Sequence, residues 1–355
     1  MRTWLNMVAA MLLMSGCAGD ALRHKPVSNE YAAYFEIIFA SEGTPEAISV
    51  ISPYDSHRDT LYLDEPADNI ICMSSSHVAA LSAAGADSVI TAVSGIRYIS
   101  NPVLRSRYPE ELQDIGYESS LDYEAIVTLR PDLLLTYTIS GSEPPYIRKL
   151  RSLDIPVLVL HDHLEEHPLA RAEYVRLFGA LTGRLDMADS VFASVRDRYE
   201  SLAAQTVQTG RKRMKALLNI PYGDAWYIPG NDNYMSRLIH DAGGTVLGAE
   251  SGTSVSKVVS MEEAYRLSQK ADIWLNPGHC RTRRQLEEIH QLFPSFGPMA
   301  DGLPIYNNTL RTTPEGGNDF WESGAMRPDL ILEDLVKIFS GAETADTLNY
   351  FYRLD

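Results

Sequence analysis

Two glutamates stand at matching places in two distant, similar phrases of this 355-residue chain. Glu124 lies in "SLDYEAIVTLRPDLLLTY", residues 120–137, and Glu262 in "SMEEAYRLSQKADIWLN", residues 260–276. Each phrase opens on a helix-capping residue, Asp122 or Ser260, runs as a short amphipathic helix and ends in an apolar strand. Both glutamates then fall at the second helical position, where side chains point outward, and Ser260 with Glu263 reads as a capping box. The helix dipole favours an acid in a first turn by ~0.3–1 kcal/mol, and this needs no partner. The duplication is what asks for a further use.

A second set of chemically capable residues sits where loops follow apolar runs. These are Arg97 and Tyr98 in "GIRYISNP", Tyr117 in "IGYESS" and Tyr137 in "LLTYT". Trp226 and Tyr227 in "GDAWYIPG", and Arg311 and Trp321 in "NNTLRTTPEGGNDFW", complete it. In open α/β sheets, ligands bind outside the carboxyl ends of the strands, so such loops are the place to look. A third set is histidine-rich: "HDHLEEHP" carries His161, His163 and His167. Pro168 disfavours helical geometry at His167, so His163 and His167 are not spaced as an i, i+4 clamp. His161 and His163 share a face if the preceding strand continues. No Gly-x-Ser-x-Gly, phosphate loop or Gly-x-Gly-x-x-Gly occurs. Ser76 and His77 are neighbours on a strand end, which rarely face one another productively. The chain does not read as an enzyme.

The elements that must position these residues follow a clear rhythm. The opening "MRTWLNMVAAMLLMSGCAGD" has an apolar run too short to span a bilayer, followed by small residues before Cys17, and it resembles a lipoprotein signal. That resemblance implies cleavage after residue 16 and lipidation of Cys17; a plain secretory signal with an incidental cysteine is the alternative. The other two cysteines, Cys72 and Cys280, fall in different halves and read as buried thiols. With 31 Lys+Arg against 47 Asp+Glu, the net charge of −16 repels nucleic acid and anionic lipid. After an anchor linker and β preface over 17–68, with strands in "YAAYFEIIF", "EAISVIS" and "DTLYLD", strand–helix alternation occupies 69–183. A helix spans 184–209, about 37 Å long at the α-helical rise. The alternation resumes over 210–355. The expected fold is α/β: two mostly parallel-sheet lobes joined by a single long helix, with a short N-terminal β preface. A lone stiff connection allows rocking by a few degrees rather than wide closure.

This order, together with "IICMSSSHVAALSAAGADSVITAVSG", "IGYESSLDYEAIVTLRPDLLLTY" and "LRSLDIPVLVL", resembles the helical-backbone substrate-binding lipoproteins of ABC importers. Within them it is similar to the branch that carries ferric siderophores, haem and cobalamin. Asp154 stands where that family often has glycine. The resemblance implies a periplasmic, lipid-anchored monomer that binds a metal chelate between its lobes and delivers it to a permease dimer. It further implies that Glu124 and Glu262 dock on permease arginines. Charge-assisted bonds shielded at an interface contribute ~1.5–3 kcal/mol each, so two would orient a reversible encounter. Aromatic faces suit a flat or greasy chelate, and Arg97 and Arg311 suit an anionic one, which puts a ferric siderophore ahead of cobalamin and haem. Relatives with the same backbone hold bare zinc or manganese through histidines, so His161 and His163 provide the rival reading.

Overall fold

The computed structural model describes residues 29–41, 43–208, 210, 212–342 and 347–355, so the expected lipoprotein signal and Cys17 lie outside the described residues. An antiparallel meander comes first: β1 (Phe35–Phe39), β2 (Pro45–Ile51) and β3 (Arg58–Tyr62). Then come β4 (Ile70–Cys72), α1 (Ser75–Ala83), β5 (Ile90–Val93), α2 (Pro102–Arg107) and β6 (Gln113–Asp114). This lobe continues with α3 (Tyr123–Leu129), β7 (Leu133–Tyr137), α4 (Pro145–Arg151) and β8 (Val157–Leu160). Two longer helices follow, α5 (Pro168–Leu181) and α6 (Leu185–Gln208). The second lobe opens with β9 (Met214–Leu218), β10 (Trp226–Ile228), α7 (Tyr234–Asp241), β11 (Gly244–Val246) and β12 (Lys257–Val259). It goes on through α8 (Met261–Ser268), β13 (Ile273–Leu275), α9 (Arg283–Ile289), α10 (Gly297–Ala300) and β14 (Ile305–Asn307). It ends with α11 (Ser323–Met326), α12 (Pro328–Ser340) and β15 (Tyr352–Arg353).

The first sheet has the order β6-β5-β4-β7-β8 and is parallel throughout. Alternation along a strand sends successive side chains to opposite faces. Ile70 and Cys72 accordingly join the apolar cluster that holds Val78 and Leu81 of α1, whereas Ile71 joins Ile126 of α3 and Ile147 of α4 on the other face. With both faces covered, β4, β5, β7 and β8 are mostly apolar, which is what made them legible. Cys72 and Cys280 are buried free thiols, as expected. The second sheet, β11-β9-β13-β14-β15, is parallel except for β15, and β10 pairs with β12 in a separate antiparallel ribbon. Of the strands of two or three residues, β4, β13 and β14 were foreseen because each is buried throughout within an apolar run, whereas β6, β10, β11, β12 and β15 carry exposed or half-exposed residues and show no such run.

The helix α5 changes the picture of two lobes meeting at one rod. All fourteen of its residues are buried, and it packs against α1 of the first lobe, α6, and α7 and α11 of the second lobe. Its buried charges are paired: the Arg176 guanidinium lies 3.0 Å from Glu173 of the same helix and 2.7 Å from Asp189 of α6. Apolar residues of both lobes, Leu81 and Phe178 with Leu238 and Leu335, therefore belong to one continuous cluster. The chain passes between the sheets through α6, but a shared core joins them as well.

The preface is tied to this seam. The expected strand from Tyr31 starts only at Phe35, because carboxylates take the preceding N–H groups. Glu173 accepts from the backbone of Glu30, Tyr31 and Ala32 at 2.8 Å, and Glu165 accepts from Ala33 and Tyr34 at 2.9 and 3.0 Å. Burial pushes the Glu165 carboxyl up to about 7, although these N–H groups favour its charged form. The Phe35 ring meets Tyr174 of α5 edge-on at 4.7 Å.

Candidate functional site

The carboxyl ends of β4, β5, β6 and β7 converge on a hollow of about 430 Å³ lined by Met73, Ser94, Tyr117, Glu118, Ser119 and Tyr137. Its rim is built by one carboxylate. Asp114, the last residue of β6, accepts from the N–H groups of Gly95, Ile96 and Gly116 at 2.9–3.1 Å, locking two neighbouring loops together. Gly95 sits at φ +70°, and a Cβ there would lie 2.5 Å from the Tyr117 ring, so only glycine allows the loop to pass beneath that tyrosine. Arg97 Nε then donates to Tyr117 Oη at 2.8 Å, and its guanidinium lies 5.0 Å from the Tyr98 ring centre and 5.4 Å from that of Tyr117. A cation over two aromatic faces holds all three side chains at the mouth. Tyr137 is half-buried, and desolvation raises its phenol.

Four predicted residues, Arg97, Tyr98, Tyr117 and Tyr137, thus come together. Asp114, Gly95 and Glu118 belong with them and were missed. The only signal for them was the Asp-x-Gly in "QDIGY", which is too short to be specific.

The second lobe contributes less than expected. Trp226 is fully buried: its Nε1 donates to the Leu218 carbonyl at 3.0 Å, and its ring stacks on Phe296 at 5.9 Å. It is a core residue, because alternation in β10 turns Trp226 and Ile228 inward and leaves only Tyr227 outside. Tyr227 is 44% exposed, as is Trp321, whose ring lies 6.4 Å from Tyr234. Arg311 does not face the hollow either. It pairs with Asp319 at 3.3 Å, lies over the Tyr350 ring and lines a different cavity.

The histidines do not form a metal centre. Strand β8 ends at Leu160, and a 3₁₀ turn over Asp162–Leu164 removes the shared face expected for His161 and His163. The His161 ring faces Tyr54 of the β2–β3 loop at 6.1 Å, whereas His163 faces Tyr137 at 5.5 Å. Burial lowers both imidazoles, His161 to about 4. His167 caps α5 through Nδ1, as Pro168 suggested. His77 lies 3.3 Å from Asp162 and not against Ser76, whose hydroxyl pairs with Ser74. Burial alone would raise Asp162, but the His77 hydrogen bond and the Arg171 charge hold it well below the usual carboxylate range. Among the described residues no group of three or more His, Cys, Asp or Glu is placed to hold a metal ion.

Glu124 and Glu262 are both exposed at the second position of α3 and α8. The caps are those expected: Asp122 accepts from Ala125 N at 2.9 Å and Ser260 from Glu263 N at 3.2 Å. The capping box is incomplete, since Glu263 turns to Arg266 instead of back to Ser260. Neither Glu124 nor Glu262 has a hydrogen-bond or ion-pair partner among the described residues.

A clasp crosses from the second lobe to the first. Thr313 Oγ1 donates to the Arg97 carbonyl at 2.9 Å, and Glu322 accepts from the N–H groups of Ser100 and Asn101 at 2.6 and 2.7 Å. Between them Gly317 presses on Tyr98, where a Cβ would stand 2.1 Å from the carbonyl oxygen. Burial raises the Glu322 carboxyl to about 7.

Two parallel-sheet lobes, a connecting helix and a ligand-sized hollow at strand ends define a two-lobed binding protein. The periplasmic binding protein family model matches residues 70–292, and the chain belongs to that family. An uncharacterized lipoprotein of Methanocaldococcus jannaschii is 23% identical over 81% of this chain and 70% of its own length. Among solved structures, a periplasmic haem-binding protein of Pseudomonas aeruginosa superposes with a TM-score of 0.62 at 18% identity, covering 81% of this chain and 98% of that one. The vitamin B12-binding protein of Vibrio cholerae gives 0.55 at 17%, covering 78% and 98%. These structural likenesses establish the fold, including the lobes and joining helix read from the sequence.

Proposed function

We propose that this chain is a lipid-anchored, periplasmic substrate-binding protein that captures a metal chelate at the strand-end hollow and hands it to an ABC importer. The observation that carries the reading is the Arg97–Tyr98–Tyr117 stack, fixed by Asp114 beside Tyr137 at the carboxyl ends of parallel strands. Preset aromatic faces bind a broad apolar surface without ordering cost. The family membership and the neighbours that bind haem and vitamin B12 support the chelate class.

Charge narrows the choice. With Arg311 committed to Asp319, Glu118 is the charged residue among the described lining, and Arg97 is bonded to the Tyr117 hydroxyl, so the hollow offers no surplus of positive charge to a polyanion. That favours a ferric siderophore of low net charge, such as a hydroxamate, over a polyanionic catecholate, with a corrinoid as the second reading. Titration of the full chain with a ferric trihydroxamate, a ferric catecholate, haemin and cyanocobalamin, followed by tryptophan fluorescence, tests this. Saturable quenching by the trihydroxamate is expected, and tighter binding of the catecholate defeats the charge argument.

Docking is proposed to run through Glu124 and Glu262, exposed and unpartnered in corresponding first turns. The double substitution Glu124→Ala with Glu262→Ala should leave chelate affinity intact and abolish uptake; normal uptake removes the docking role. For the anchor, Cys17→Ala should move the protein from the membrane to the soluble fraction. Continued sedimentation with lipid excludes that thiol as the tether.

A further inference from the structure

Beside the clasp lies a cavity of about 820 Å³. Its walls come from three bodies: the last turn of α1 and the start of α2 in the first lobe, residues 311–327 of the second, and Val191 of α6. The volume is that of a site for an organic molecule rather than a packing defect. Its apolar surface includes Ala79, Ala83, Val103, Val191 and Met326.

The polar lining has one sign of charge left to offer. Among its acids, Asp319 is engaged by Arg311 and Ser323, and Glu322 by the two clasp N–H groups. Asp87 accepts from Ser82 Oγ and Asn101 Nδ2 at 2.5 and 3.0 Å. Of the arginines, Arg327 is paired with Asp329 at 2.8 Å and Arg311 with Asp319. Arg105 differs. Its guanidinium reaches only the carbonyl oxygens of Ile99 and Arg97, at 3.2 and 3.4 Å, and no described carboxylate lies within ion-pair distance. Close by, the Ser100 hydroxyl is buried without a hydrogen-bond partner.

From the volume of the cavity, the Arg105 guanidinium that has no carboxylate within ion-pair distance, and the apolar residues of the lining, we infer that this cavity is a second binding site, for an organic anion with an apolar body. The carboxylate or sulfonate of such a molecule takes donors from Arg105, and its body lies against Ala83, Val103 and Val191. The site is separate from the chelate hollow, whose lining shares no residue with it.

The test uses the full chain without any chelate, so the result does not depend on what the first site carries. Fluorescence titration with 8-anilinonaphthalene-1-sulfonate should show one saturable site per folded chain, and decanoate should displace the dye. Arg105→Gln should weaken dye binding by about tenfold, the loss of one charge-assisted hydrogen bond. Val103→Trp should block it, and because Val103 is 51% exposed this change leaves the core untouched. Tyr117→Ala, in the other hollow, should leave dye binding unchanged. The inference is overturned if no saturable binding occurs, if both Arg105→Gln and Val103→Trp bind as the parent does, or if Tyr117→Ala is the variant that loses the dye.

Discussion

The two lobes use aromatic residues in opposite ways. In the first, Tyr98 and Tyr117 stand at strand ends with Arg97 across their faces, and Tyr137 lines the hollow. In the second, Trp226, Trp274, Phe293 and Phe296 pack on one another at 5.1–6.1 Å and are closed to solvent. Both sets look alike in sequence, as bulky rings near a loop after an apolar run. What separates them is what lies around the ring. Parity in β10 turns Trp226 inward and Tyr227 outward, Phe293 and Phe296 close over Trp226 and Trp274, and Tyr98 and Tyr117 sit in the open loops beyond β5 and β6.

Substitutions sharpen this contrast. Trp226→Ala should remove about 3–5 kcal/mol of stability, the usual cost of deleting a large buried ring, as measured by denaturant unfolding. A loss below 1 kcal/mol would mean that the second lobe's aromatic cluster is not its core. Gly95→Ala should cost about 2 kcal/mol, since the backbone there is left-handed and the new methyl meets the Tyr117 ring. It should also displace the aromatic stack, so chelate affinity should fall with stability. Tyr117→Ala should do the reverse of Trp226→Ala: stability within about 0.5 kcal/mol of the parent, and chelate affinity weakened about tenfold by calorimetry. Unchanged affinity would move the chelate off the first lobe's stack.

The smallest expected effect concerns pH at the clasp. Burial raises the Glu322 carboxyl to about 7 in the folded protein, above the ordinary carboxylate value. A raised pKa means that the folded state prefers the proton. The stabilising contribution is therefore complete at acid pH below the unfolded value and is lost as pH climbs through 7. Between pH 8 and pH 6 the parent should gain about 1 kcal/mol relative to Glu322→Gln. Parallel pH profiles for the two proteins would show that Glu322 does not titrate in this range.

Much of the site was readable because it depends on local grammar. Asp122 and Ser260 cap their helices through side-chain oxygens, so the exposed positions of Glu124 and Glu262 follow within one turn. The helix α6 was readable because 24 residues pass without proline or glycine. Arg311 was misplaced for a different reason: its partner Asp319 is near in sequence, but their pairing depends on how the intervening loop folds against the first lobe. His161 and His163 diverged because the strand ends at Leu160, before either histidine, which no periodicity over so short a run can show.

By itself, the sequence determined the alternation of strand and helix, the two sheets and the helix between them. Hydrophobic period and capping chemistry act over a few residues, so they are written in order along the chain. Only the tertiary structure decided that α5 fuses the lobes into one core, that Asp114 sets the rim of the hollow, and that Glu322 clasps Ser100 and Asn101 across more than two hundred residues. Those features rest on buried polar groups finding partners that are distant in the chain. That requirement fixes which contacts must form but leaves no periodic mark by which to foresee them.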